Sequence, residues 1–223
     1  MTFSLAARCA ASGRFGIVVT SSSPAVAARC AHARARVGAA ASQNVTDPSL
    51  GRLLLDLLAG GLSAPEAMTQ LVAAAAHAEF RQLTCVDAAG LVASYSGERT
   101  LGRHASAEGA GCVAAGNLLA DEGVPEAMVD GFEDTEGDLG ERLVAALMAG
   151  LAAGGEEGPV RSAGMLIVDA VAWPVADLRV DWHDEPIHEL AKLWLLWQPQ
   201  LDAYVARALD PSQAPSYGVP GDE

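Results

Sequence analysis

Along this chain the hydrophobic period switches repeatedly between two and 3.6, and the switches come in blocks. Phe3, Leu5 and Ala7 alternate with Thr2, Ser4 and Arg8, the pattern of a half-buried strand. Ser12-Gly13 supplies a turn. FGIVVT follows as a more buried strand, which Pro24 ends or forces to an edge. RVGAAASQ is a third strand, its residues small enough that something must pack close above it. Helical spacing then begins. Asp47-Pro48 is an N-cap with proline at the first helical position, Leu50, Leu54, Leu57 and Leu58 share one face, and Gly60-Gly61 ends the helix. Ser63 and Glu66, with Pro65 between them, form a capping box that opens a second helix through MTQLVAAAAHA. FRQLTCVD, the turn DAAG and LVASYSG read as a hairpin, and GCVAAGN as a further short strand. His104 falls in a loop. PEAMVDGFED and DLGERLVAALMAGLAAGG make a second helix pair, the latter opened by Asp138 and Glu141 and closed by Gly154-Gly155. SAGMLIVDAV and DLRVDW are strands. PIHELAKLWLLW is a last helix that must kink or restart at Pro199.

Strand runs alternating with helix pairs do not suit a doubly wound fold, which uses single crossovers. They predict an α+β fold: two stacked, mostly antiparallel sheets between helix pairs, a four-layer αββα sandwich. Residues 1–223 form one domain in this reading, with 210–223 as an irregular, turn-rich tail.

With 223 residues, 51% of them hydrophobic, the chain can bury a sizeable core. A net charge of −14 argues against nucleic acid and against anionic membrane surfaces, both of which need clustered cations. Lys192 is the sole lysine. Cys9, Cys30, Cys85 and Cys112 stand far apart, with neither zinc-finger nor compact disulfide spacing. No G-x-G-x-x-G, P-loop lysine or G-x-S-x-G elbow is present, so no cofactor is expected. The first residues lack a signal-peptide pattern and no apolar run is long enough to span a bilayer, so the expected location is the cytoplasm.

The stretches MTFSLAAR, SGRFGIVVTSSSPAV, RVGAAASQNVTDPSLG, GLSAPEA, CVDAAGLVASYSG, AAGNLLA, AGLAAGGEEG, DLRVDWHDEPIHEL and APSYGVPGD, in this order and spacing, resemble the bacterial and archaeal family catalogued as domain of unknown function number 1028. The resemblance runs from residue 2 nearly to the end. It implies an N-terminal-nucleophile-hydrolase-like fold, but no activity. Some relatives carry a fused peptidoglycan-binding domain, which hints at amide bonds in cell-wall peptides; no such extension is read here. The chain departs from the family at Arg161-Ser162, where relatives tend to have Gln before Ser-Ala. It departs again at Gln43-Asn44-Val45, where they tend to have an aromatic residue.

Thr2 therefore has two readings. It is either a β-former at the start of an edge strand, or a new amino terminus once Met1 is removed. In the second case the free α-amine, with a pKa of about 7.7–8.0, acts as base for the residue's own hydroxyl, which attacks an amide carbonyl. Retention of Met1 would leave Thr2 without that base. Asn117 is the candidate oxyanion donor, although Gly116-Asn117 is also an ordinary turn pair. Ser21, at the end of the second strand, is placed to orient the amine. Arg29, Arg34 and Arg36 are basic candidates that cannot act as bases near neutrality; Arg29 is carried as a substrate-carboxylate ligand, and each is also an ordinary surface arginine. Gln43 and Ser162 enter as substrate-binding candidates through the resemblance. The run DWHDEPIH invites a metal reading, yet its spacing is not H-E-x-x-H and Pro186 separates His183 from His188; no metal is expected. The leading expectation is thus an amide-bond hydrolase acting on a small amide or peptide-like substrate. The rival is a non-catalytic homo-oligomer of the same fold that binds a small ligand. Ile187, Leu190, Trp194, Trp197, Leu201 and Tyr204 form an apolar stripe that closes the core or meets a second copy in a homodimer.

Overall fold

The computed structural model describes residues 1–219 and 221. The C-terminal tail expected over 210–223 therefore lies partly outside the described residues. β1 (Thr2–Arg8) and β2 (Phe15–Ser21) pair as an antiparallel hairpin, with Phe3 opposite Thr20 and Arg8 opposite Phe15. A four-residue helix α1 (Ala27–Cys30) and strands β3 (Ala31–Arg34) and β4 (Gly38–Asn44) follow. Next come helices α2 (Pro48–Ala59) and α3 (Ala64–Ala74), then strands β5 (Arg81–Asp87), β6 (Val92–Ser96), β7 (His104–Gly109) and β8 (Cys112–Asn117). Helices α4 (Val124–Glu133) and α5 (Leu139–Ala152) precede strands β9 (Ser162–Val168) and β10 (Pro174–Val180). Helices α6 (Pro186–Trp197) and α7 (Leu201–Leu209) close the sequence, broken at Pro199 by a single 3-10 turn.

The strands form two sheets, a six-stranded one in the order β10-β9-β2-β1-β8-β7 and a four-stranded one in the order β3-β4-β5-β6. Every pairing between named strands is antiparallel. Period-two alternation divides the strand residues among four apolar clusters, the smallest of them Val19 with Val26 and Cys30. Phe3, Leu5, Val18 and Met165 of the larger sheet pack against Met128, Phe132, Leu143 and Leu147 of α4 and α5 and against Ile187, Leu190 and Trp194 of α6. Ala40, Leu83 and Cys85 of the smaller sheet pack against Leu50, Leu54, Met68 and Leu71 of α2 and α3. Ala6, Ile17 and Val113 meet Ala39, Ala41 and Val86 where the two sheets face one another.

The helix starts obey the local rules. Asp47 accepts from Ser49 N, and the Ser63/Glu66 and Asp138/Glu141 capping boxes are both formed. Pro24 lies beyond the end of β2, which is central, so the edge alternative does not apply. Two expectations need correction. The small-residue strand is preceded by α1 and β3, and His104 opens strand β7 rather than sitting in a loop. β3 and β7 are sheet edges whose apolar residues are alanines, so their own alternation is faint and neighbouring strands supply the pairing.

The apolar stripe of the last helices is largely core, through Ile187, Leu190, Trp194 and Leu201. On the opposite side Leu195 and Leu196 are 70% and 67% exposed. No helix of the described residues is long and apolar enough to cross a membrane.

Candidate functional site

Ala6 lies between the sheets, so the period of two turns Ser4 and Thr2 to the same side. Towards the Thr2 end of β1 the space between the sheets changes character: it is apolar around Ala6 and Ile17, and polar beyond. Ser4 Oγ donates to Gln43 Oε1 of the facing sheet at 2.7 Å. Gln43 Nε2 donates to Gln82 Oε1 at 2.9 Å and to the Ala115 carbonyl at 3.1 Å. Gln82 Nε2 donates in turn to the Gly116 carbonyl at 2.9 Å and to Ser96 Oγ at 3.0 Å, and Asn117 Nδ2 donates to Gln82 Oε1 at 3.1 Å. Ser4, Gln43, Gln82 and Asn117 are fully buried. Each such hydrogen bond nets about 1 kcal/mol, while an unmade one costs about 1–3 kcal/mol, so the network holds the sheets in one register at this end. Asn117 Oδ1 has no partner.

Thr2 pairs with Asn117 across β1 and β8, and its residue is 6% exposed. Its Oγ1 donates to the Met1 carbonyl at 2.5 Å and lies 3.4 Å from Ser21 Oγ. Ser21 Oγ also donates to the Met1 carbonyl and accepts from Ser23 N at 3.0 Å. One amide carbonyl thus rests on two hydroxyls from adjacent strands. With Met1 in place, the Thr2 nitrogen is a peptide nitrogen.

Next to this group stands Glu156, a residue that sequence reasoning missed. Gly154 and Gly155, at φ +116° and +60°, turn the chain back after α5. The returning segment then runs beside the residues that follow Asn117: Ala120 N donates to Gly155 O at 3.0 Å and Glu157 N to Leu118 O at 2.9 Å. Glu156 is thereby carried to the end of β2, where both carboxylate oxygens accept from Ser22 N at 3.1–3.2 Å. It is 4% exposed. Burial pushes its carboxyl up to about 7, against the pull of the Met1 α-ammonium and the Ser22 N–H. The same α-ammonium acts on Cys30, whose thiol burial raises above its ordinary range. The only sign of Glu156 in the sequence is a carboxylate directly behind a Gly-Gly helix stop, a pattern that ordinary surface turns share.

A cleft of about 200 Å³ opens beside Glu156, walled by Gly158, Val160, Glu185, Ile187 and His188 among others. The Met1 side chain reaches its edge: a Cβ on Gly158 would stand 3.8 Å from the Met1 methyl.

The other expected residues divide. Thr2, Ser21 and Asn117 are brought together. Ser162 pairs with Ser21, but its hydroxyl donates to Ser23 O at 2.6 Å and accepts from Val26 N at 3.1 Å, which pins the loop after β2. Gln43 is buried in the network, bonded to Ser4, Gln82 and the Ala115 carbonyl. Arg29 Nη1 donates to the Pro24 and Ala25 carbonyls at 2.8 and 3.2 Å, so its guanidinium secures that same loop. Arg34 pairs with Asp56 of α2 at 2.7 Å. Arg161, at the departure from the family pattern, pairs with Asp184 and lies over the Trp182 ring.

The solved structures that match this chain include these two. Protein SPO2555 from Silicibacter pomeroyi, assigned to the same family model, is 29% identical, with a TM-score of 0.82 over 87% of this chain and 85% of that one. Anbu, the ancestral β-subunit from Yersinia bercovieri, is 11% identical over 91% of this chain and 97% of that one, with a TM-score of 0.39, too low to carry an argument. No curated protein matches the chain. The model of a family of unknown function, DUF1028, matches residues 2–190. With most of its length matched, and with the same arrangement of strands and helices as a crystallised relative, the chain belongs to the DUF1028 family of unknown function.

Proposed function

We propose that the protein is an amide-bond hydrolase of the N-terminal-nucleophile class, with an αββα sandwich as its scaffold and Thr2 as nucleophile after Met1 is removed. The observation that carries this reading is the seating of an amide carbonyl, that of Met1, on the Thr2 and Ser21 hydroxyls at the polar end of the inter-sheet space. Loss of Met1 frees that place for a substrate carbonyl and turns the Thr2 nitrogen into a primary amine. The amine takes the hydroxyl proton as Oγ1 attacks the carbonyl carbon, the C–N bond breaks, and the leaving nitrogen departs with a proton. Water then adds to the ester, restoring the hydroxyl and releasing the acid. Ser21 stays within reach of Oγ1, and Asn117, paired with Thr2 across β1 and β8 with one Nδ2 hydrogen already on Gln82, would meet the oxyanion with the other. A small amide or peptide-like substrate in the cytoplasm suits the modest cleft and the four free thiols.

The rival is a ligand-binding protein without catalysis, the reading that would follow if Met1 were retained and Thr2 left without a base. Intact-mass spectrometry of the native protein separates the two. A mass lacking Met1 is expected; a retained Met1 sinks the hydrolase reading. In processed protein Thr2→Ala should abolish turnover, Thr2→Ser should keep part of it, and both should melt within a few degrees of the parent.

A further inference from the structure

Met1 does more than block a hydroxyl. Its three functional parts are each met by the protein. The carbonyl is held by Thr2 Oγ1 and Ser21 Oγ, and the thioether reaches the cleft edge at Gly158. Glu156, its carboxylate anchored by Ser22 N next to Ser21, lines that same cleft, where the α-ammonium acts on it through space without a direct ion pair. An amide carbonyl, a side chain and a free α-ammonium are the parts of an aminoacyl group.

We infer that the place vacated by Met1 is an aminoacyl subsite, and that the substrates are amides of α-amino acids with a free amino group. Such compounds include amino-acid amides and short peptides cleaved after their first residue. This inference rests on the hydrolase reading above and names its substrate class. Glu156 is the residue that recognises the ammonium. It is 96% buried by side chain and backbone around it, anchored by Ser22 N, and lines the cleft through which a ligand enters. Glu185 on the cleft wall adds negative charge, Asp184 beside it is paired with Arg161, and Lys192, the chain's sole lysine, is paired with Glu189. A buried carboxylate holds an ammonium far better than a neutral amide, because no water competes for the hydrogen bond. Acetylating the substrate's amine therefore removes the charge that Glu156 recognises. The reaction balances as hydrolysis: the amide C–N bond and one water become a carboxylic acid and an amine.

The test uses processed full-length protein and three probes: L-methioninamide, N-acetyl-L-methioninamide and 4-(methylthio)butanamide, which lacks the amine. Binding is measured by calorimetry on Thr2→Ala, which cannot turn over, and hydrolysis is measured on the unaltered protein. The free-amine amide is expected to bind roughly tenfold or more tightly than either of the others. Glu156→Gln, which keeps an acceptor for Ser22 N, should erase that preference.

Equal binding of the three probes, or no binding of any, overturns the inference. So does a Glu156→Gln protein that keeps the preference, or that loses turnover of all three alike, since Glu156 would then serve only the enzyme's own Thr2 amine. If the variant fails to fold, the three-probe comparison on Thr2→Ala still decides. Amine-selective binding without hydrolysis keeps the subsite and removes the hydrolase; hydrolysis without amine selectivity does the reverse.

Discussion

Glu156 couples its burial to pH in a direction that can be worked out. Its carboxyl holds a proton more tightly in the folded chain, where its pKa is about 7, than in the unfolded chain, where it is an ordinary carboxylate. Between those two values the folded state binds more protons, so stability falls as pH rises from about 4.5 to about 7. At 1.36 kcal/mol per pH unit the upper bound on this loss is about 3 kcal/mol. The Met1 α-ammonium and the hydrogen bonds from Ser22 oppose the effect. Denaturant midpoints at pH 5 and pH 8 are expected to show a larger fall for the parent than for Glu156→Gln. Parallel curves would mean that the carboxyl is ordinary. At this scale the sequence was informative about Thr2, Ser21 and Asn117, which lie at strand ends that local pattern can find. It was silent about Glu156, whose role arises from a turn at Gly154-Gly155 and from partners on another strand. Arg29 and Ser162 have no local signature that distinguishes a ligand-binding side chain from one that secures a loop.

Among the elements, α5 and α6 meet at a contact that depends on the absence of a side chain. A Cβ at Gly140 would fall 2.2 Å from Trp194 Cζ2, inside the indole ring that α6 lays across α5. Gly140→Ala gains helix propensity but must displace a buried tryptophan, a cost of about 1–3 kcal/mol. A lowered melting temperature with altered tryptophan fluorescence is expected; an unchanged or raised one would show that α6 adjusts freely. Helices with caps, such as α2, α3 and α5, could be read from sequence because the cap and the first turn are in local contact. β3 and β7 could not, since an alanine-containing edge strand is defined by the strand beside it.

For the molecule as a whole, the outward side of α6 carries Leu195 and Leu196, both largely exposed. The homodimer expected from this helix predicts that sedimentation velocity returns twice the mass of one chain. It also predicts that Leu195→Arg with Leu196→Arg returns a single chain of unchanged melting temperature. A single-chain mass for the parent would dispose of the dimer. The alternation of strand blocks and helix pairs determined the class of fold, because periodicity, caps and turns act over a few residues and each segment carries its own. Only the tertiary structure decided where chemistry is possible. Ser4, Gln43, Gln82, Asn117 and Glu156 come from five separate segments, and Ser4, Gln82 and Glu156 each read alone as an unremarkable polar residue. Stacking the sheets removes water from the first four at once, so that those buried polar groups must find one another, and the turn at Gly154-Gly155 buries Glu156 against Ser22 at the end of β2.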